Sequence, residues 1–308
     1  MSRWHESDIR DQSGRRVMVT GANSGLGLQT AMVLARHGAT VLLACRDPAR
    51  GQAALDRVRS EPGTDATLVQ LDLADLSSVH KAADEVRAIT GDRLDVLVNN
   101  AGVMASPPRR TTDGFELQIG TNHLGHAALT WLLAPALTPG ARVVTVSSLA
   151  HRGGELDVDD LNFKRRRYKP GAAYSASKLA NLLFTFELDR RARTAGRNVL
   201  AVAAHPGLTG TELVHNTVRM YLPDPLAKLA SWGNKLISQG VAAGALPQLY
   251  AATATDVGSS EYFGPTGPGQ IRGAPGRVTA SAAAYDEHTA RRLWERTAEL
   301  TGVPPDPA

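Results

Sequence analysis

Short apolar runs alternate with helix-length stretches of mixed polarity along most of this chain. The runs fall at residues 17–19, 40–44, 67–71, 94–98, 142–146 and 198–202, with a seventh at 260–263. Runs this short and continuously apolar suit buried parallel strands, because helices cover both faces of such a sheet. The first run leads into a glycine-rich turn, and residues 28–37 then repeat apolar positions at the helical period until Gly38 stops them. Strand, turn, helix and strand make one βαβ unit, whose crossover is expected to be right-handed. The proline- and glycine-rich stretch 264–276 has too little apolar content for a sheet interior. A final helix is expected over 283–300, with Leu293 and Trp294 as packing residues.

This pattern predicts a single α/β domain over residues 14–302, after a polar lead at 1–13 and before a frayed, proline-bearing tail at 303–308. Residues 208–240, interrupted by Pro223 and Pro225, are expected to pass over the C-terminal edge of the sheet as a substrate lid. At 308 residues with 43% hydrophobic content, the chain can bury one large core.

Lysine and arginine number 34 against 30 aspartate and glutamate, a net charge of +4. So even a balance excludes the clustered excess of a nucleic-acid binder. Cys45 is the single cysteine, which rules out an intrachain disulfide and a cysteine-type zinc site and fits a reducing, cytoplasmic setting. No metal-ligand set is expected. No signal-peptide or membrane-spanning run is present, and the basic run Lys164-Arg165-Arg166-Arg167 reads as a solvated loop.

The turn after the first strand reads Gly21-Ala22-Asn23-Ser24-Gly25-Leu26-Gly27. Missing side chains at Gly21, Gly25 and Gly27 let backbone N–H groups approach a pyrophosphate at a helix N-terminus. Asn23 and Ser24 add short polar contacts, and Leu26 is counted with them. Asp72 follows the third strand, where it could accept a hydrogen bond from an adenine amino group or instead cap the next helix, and Leu73 beside it joins the candidate contacts. At the end of the second strand stands Ala44-Cys45-Arg46-Asp47. An acidic residue there would grip a ribose 2′-hydroxyl, whereas an arginine pairs with a 2′-phosphate. Arg46 comes first, which favours NADP(H) over NAD(H) held through Asp47.

A second set of residues carries chemistry. Tyr174 and Lys178 lie four positions apart on one helix face. An isolated phenol titrates near 10, about three units too high for a general base at neutral pH. A neighbouring ammonium, together with an oxidised nicotinamide ring, would favour phenolate and lower that value. Of Ser147-Ser148 at the end of the fifth strand, Ser148 is the candidate to hydrogen-bond a substrate oxygen as charge develops there. Asn122 could hold a water linking Lys178 to solvent, or could only bond backbone.

With these residues in place, the chain from about Gly14 to Thr301 resembles the short-chain dehydrogenase/reductase family. The resemblance implies a Rossmann-like, doubly wound parallel sheet of about seven strands and a catalytic set of Asn122, Ser148, Tyr174 and Lys178, with Lys178 also holding a ribose. It implies that Asn99-Asn100-Ala101-Gly102 supports the adenosine side, with Asn99, Ala101 and Gly102 as contacts. Pro206, Gly207 and Thr211 would approach the nicotinamide carboxamide, and homo-oligomers are the family habit. Asn122-His123-Leu124-Gly125-His126, Ser147-Ser148-Leu149-Ala150-His151 and His205-Pro206-Gly207 look like the retinol dehydrogenase and WW-domain oxidoreductase branch. Thr145 stands where many members carry asparagine.

The expected activity is hydride transfer between NADP(H) and a carbonyl or alcohol carbon of a small substrate. Leu213, Val214, Leu222, Leu226 and Leu229 in the lid suggest that the substrate is lipophilic, although they would serve equally as helix core. The competing readings are a catalytically silent dinucleotide-binding regulator, and an epimerase or dehydratase that retains its cofactor.

Overall fold

Each apolar run becomes a strand. The structure, a computed structural model, describes residues 4–209 and 239–307. Strands β1 (Arg16–Thr20), β2 (Thr40–Cys45), β3 (Asp65–Gln70), β4 (Leu94–Asn99), β5 (Leu137–Val146), β6 (Val199–Ala204), β7 (Tyr262–Pro265) and β8 (Pro275–Arg277) form one sheet in the order β3-β2-β1-β4-β5-β6-β7-β8. The pairs from β3 to β7 are all parallel.

Two layers of helix cover the sheet. On one face α1 (Gly25–Arg36), α2 (Pro48–Arg59) and α6 (Val241–Thr253) pack on the valines of β1, β2 and β4. On the other lie α3 (Leu76–Thr90), α4, α5 (Pro170–Thr194) and α7 (Glu287–Thr301). Helix α4 comes in three consecutive pieces: Leu117–Ile119, a π-helical turn Gly120–Leu124, and Gly125–Leu133. Trp131, Phe184 and Trp294 meet where α4, α5 and α7 join, with Phe184 stacked on Trp294 at 5.4 Å. No helix among the described residues is long and apolar enough to cross a membrane.

Several expectations are sharpened. The sheet has eight strands, in keeping with the expected seven or so: Pro275–Arg277 adds a short antiparallel strand beside β7, at the edge, and the proline- and glycine-rich stretch stays out of the sheet interior as expected. An edge strand pairs on one side only, so proline is tolerated there. Strand β7 begins two residues later than the apolar run suggests, after Ser260 takes a positive φ of 61°. The first helix starts at Gly25, three residues ahead of the periodic stretch, because the first turn of a helix need not share the apolar period of the rest. The last begins at Glu287, where Asp286 accepts N–H bonds from His288 and Thr289.

Both ends of the described stretch are fastened. Trp4 packs edge-on against Tyr250 at 5.1 Å, Val303 is buried, and Asp306 pairs with Arg197, where a loose tail is expected. The basic run is anchored as well. Buried Asp160 accepts the backbone N–H groups of Lys164, Arg165 and Arg166, and the Arg166 guanidinium lies over the Phe163 ring.

Candidate active site

The C-terminal ends of β1, β2, β4, β5 and β6 open onto one cleft of about 450 Å3, as a doubly wound sheet requires where its strand order reverses. One end of it is glycine-lined. Gly21 (φ 65°) and Gly25 (φ 54°) hold left-handed dihedrals that a side chain would strain. A Cβ on Gly27 would stand 2.4 Å from the Gly21 carbonyl oxygen, whereas one on Gly25 would meet nothing within 4 Å and would project into open space. The first close approach packs the helix onto the turn, and the second leaves room for a ligand at the helix N-terminus. This arrangement fits a dinucleotide pyrophosphate. Asn23, Ser24 and Leu26 line the same end.

Around it, Thr20 ties two loops together. Its hydroxyl oxygen accepts the N–H groups of Asn100 (2.9 Å) and Ala101 (3.0 Å), and the Asn100 amide donates to the Thr20 carbonyl at 2.8 Å. Asn99 is the exception among the expected contacts. Side chains alternate along a strand, so as the last residue of β4 it turns into the core and donates to Thr130 at 3.0 Å, while Asn100 reaches the cleft in its place. Asp72 and Leu73 line the cleft. One Asp72 oxygen accepts the Ala74 N–H at 2.9 Å, and the cap of α3 is Asp75 instead. At the end of β2 the roles divide. Arg46, Asp47 and Arg50 all line the cleft, and of these Asp47 also caps α2 by accepting the Arg50 N–H at 3.0 Å, just ahead of Pro48.

At the other end Ser148, Tyr174 and Lys178 share one wall. The two serines have different duties. Ser147 is buried and donates to the Lys178 carbonyl at 2.8 Å, whereas Ser148 lines the cleft on the side of the Tyr174 phenol. Ser148 also caps a short turn, Leu149–Gly153, by accepting the Ala150 N–H at 3.2 Å.

Lys178 is only 4% exposed and donates to the Val146 carbonyl at 3.0 Å, with its Nζ 5.8 Å from the centre of the Tyr174 ring. A Cβ on Gly102 would sit at ordinary contact, 3.5 Å, from that nitrogen and more tightly, 3.3 Å, against the Asn122 amide oxygen. Burial pushes the ammonium down to about 8, because a charged group loses its water. Burial also raises the Tyr174 phenol, against the lowering pull of the Ser148 side chain. The direction in the protein alone is therefore up, opposite to the lowering expected beside lysine, since desolvation outweighs an ammonium that has turned to a carbonyl.

Asn122 sits in the π-helical turn, fully buried and outside the cleft lining. Its amide pairs with both sides of Val103, at 2.8 and 2.9 Å, and with Ser177 at 2.9 Å, so the side chain fixes the cleft floor where a relay water is expected. Pro206 and Gly207 line the cleft beyond Ser148, and Gly207 is obligatory there: its φ is 67° and a Cβ would fall 2.3 Å from the Ile271 carbonyl. Thr211, the five lid residues named above and most of residues 208–240 lie outside the described residues. Met104, Val103 and Thr209 also line the cleft without any motif to announce them. Arg50, in the first turn of α2, joins them and is not among the residues expected.

His126 braces this architecture from below, with Nε2 2.9 Å from the Thr20 hydroxyl and Nδ1 3.0 Å from the Asn122 carbonyl. Burial, opposed by that carbonyl and reinforced by Lys178, brings it down to about 4. An unfolded imidazole titrates near 6.5, so between these values the unfolded chain binds a proton that the native one refuses. This contribution is complete above pH 6.5 and drains away as the pH falls towards 4, at up to about 1.4 kcal/mol per pH unit. The melting temperature is expected to fall over that window, and less steeply in His126→Gln. Parallel melting curves against pH would dismiss this account.

The match to known proteins follows the same lines. The pattern of the short chain dehydrogenase family covers residues 15–222. Human retinol dehydrogenase 13 is 42% identical over 301 residues, spanning 94% of this chain and 85% of that one. The crystal structure of an uncharacterized protein from Mycobacterium paratuberculosis is 44% identical, with a TM-score of 0.80 and 98% of each chain covered. A protein described as an NAD(P)-dependent gluconate 5-dehydrogenase from Beutenbergia cavernae, with bound NADP, is 27% identical with a TM-score of 0.61, covering 79% of this chain and 91% of that one. With its strand order, glycine turn and Tyr174–Lys178 wall, the chain belongs to the short-chain dehydrogenase family, in the retinol dehydrogenase branch.

Proposed function

We propose that this dinucleotide-dependent oxidoreductase transfers a hydride between NADP(H) and a carbonyl or alcohol carbon of a lipophilic substrate. One observation carries the reading: Ser148, Tyr174 and Lys178 share the wall of a cleft whose other end is the glycine turn. A nicotinamide dinucleotide, when bound, supplies or accepts the hydride. Tyr174 gives the substrate oxygen its proton in reduction and takes it in oxidation, with Ser148 hydrogen-bonding the same oxygen. Lys178 holds the ribose and keeps a positive charge near the phenol. Its pKa of about 8 means that this charge is lost as the pH rises through that value. Asn122 acts at one remove, by fixing the loop at Val103 against α5.

The preference for NADP(H) rests on Arg46 and Asp47. The Asp47 carboxylate is engaged at the start of α2, while Arg46 stands exposed at the cleft with a charge suited to a 2′-phosphate. The bound NADP of the Beutenbergia protein supports the same choice. For the substrate, Val103, Met104 and Leu208 on the cleft and the likeness to a retinol dehydrogenase support a lipophilic alcohol or aldehyde.

The purified protein should oxidise NADPH with hydrophobic aldehydes or ketones, and NADH more weakly. Turnover confined to polar sugars or hydroxy acids would end the lipophilic reading, and no turnover with any carbonyl would end the hydride-transfer reading. Arg46→Asp is expected to move the ratio of kcat/KM for NADPH over NADH by about 10- to 100-fold towards NADH, the worth of one charge-assisted bond to phosphate. An unchanged ratio would remove Arg46 from cofactor choice.

A further inference from the structure

Directly behind the Ser148 wall lies a histidine that the proposed chemistry does not use. His151 is wholly buried, and each of its ring nitrogens has one partner. Nδ1 is 2.6 Å from the Ser148 carbonyl oxygen, and Nε2 is 3.1 Å from the backbone nitrogen of Ser281, which lies 130 residues further along the chain. A carbonyl can only accept, so Nδ1 carries the hydrogen; a backbone N–H can only donate, so Nε2 offers its lone pair. These partners fix a neutral ring in one tautomer.

The Ser148 carbonyl thus accepts two hydrogen bonds, from the His151 ring and from the His151 backbone N–H at 3.0 Å. Together they hold the peptide on the C-terminal side of Ser148, while the Ala150 N–H holds its hydroxyl oxygen at 3.2 Å. The Tyr262 ring stands edge-on to the imidazole at 5.6 Å and 86°, so the ring has one seat. A serine leaving a strand has a free ψ unless something stops it. Here the stop is a side chain anchored in the C-terminal segment.

We infer that His151 is a positioning residue: its Nδ1–H, braced by Ser281, aims the Ser148 hydroxyl at the reacting oxygen. This rests on the hydride-transfer reading above. Displacing a catalytic group by a fraction of an ångström lowers turnover with little effect on ground-state binding, so the signature falls in kcat.

Two variants separate aiming from mere packing. In His151→Asn the amide nitrogen occupies the δ position and retains a donor for Ser148; in His151→Gln the amide oxygen occupies the ε position and retains an acceptor for Ser281 only. Both lose one hydrogen bond. With the best carbonyl substrate, H151Q is expected to lose about 10-fold or more in kcat with KM and the NADPH Kd within about 2-fold, while H151N recovers to within about 3-fold of the parent. Equal kcat in the two variants, or a parental kcat in H151Q, would overturn the proposal. A separate measurement needs no turnover: long-range 15N imidazole NMR of the parent protein should show the Nδ1–H tautomer at His151. The Nε2–H tautomer would overturn the pinning of Ser148 directly. A parent that reduces no carbonyl but shows the expected tautomer would overturn the activity and the aiming role while upholding the pinning.

Discussion

Replacement of Tyr174 by phenylalanine should reduce kcat by about 10^3-fold, the middle of the range that one positioned acid–base group supplies. The ring stays, so its packing stays, and the NADPH Kd should hold within about 2-fold. What disappears is a hydroxyl on the Ser148 side of the cleft, beside a lysine ammonium 5.8 Å from the ring centre. Burial sets the price of ionising that phenol, so proton transfer needs the charge that a bound dinucleotide and Lys178 bring together. Steady-state rates and fluorescence titration with NADPH would test this. If Y174F retained more than a tenth of parental turnover, another group would have to carry the proton.

Gly27→Ala is expected to cost about 3 kcal/mol, the upper end for overpacking a close contact. The added Cβ would meet the Gly21 carbonyl oxygen at 2.4 Å and the Asn100 amide nitrogen at 2.5 Å. Neither can retreat cheaply: Gly21 is backbone, and the Asn100 amide donates to the Thr20 carbonyl. Unfolding entropy grows with chain length, so at roughly 1.5 °C per kcal/mol for 308 residues the melting temperature should drop by roughly 5 °C. Gly25→Ala supplies the contrast. Its Cβ would meet no protein atom within 4 Å and would enter the cleft, so beyond the roughly 1–2 kcal/mol strain of an alanine at φ 54° the loss should fall on dinucleotide affinity. Equal melting of G27A and the parent would show that the turn can relax, and undo this explanation of the glycine.

Much of this arrangement is legible in the sequence because it is local. The apolar runs and the glycine turn are contiguous, and Tyr174 and Lys178 are separated by one helical turn, so each can be read without knowing what packs against it. The contrast between Arg46 and Asp47 is local too, and Pro48 already marks Asp47 as a helix cap. What escapes is whatever depends on the last residue of an element or on a distant partner. Whether Asn99 or Asn100 reaches the cleft turns on where β4 ends, since one residue reverses the face. Pairing between β7 and β8 is a tertiary event that a run of proline and glycine does not advertise. Nor does spacing reveal that Asn122 clasps Val103, or that Asp160 gathers the backbone of the basic run.

The three residues of β8 have a bearing on how copies of this protein can meet. An open parallel sheet offers its rim as a template on which a foreign strand can grow. Here that rim is a reversed strand too short to seed a ladder, and its first residue, Pro275, has no N–H to offer. Strand addition from this side is therefore discouraged, which leaves the six residues of β3 as the rim of the sheet with unpaired backbone groups to offer.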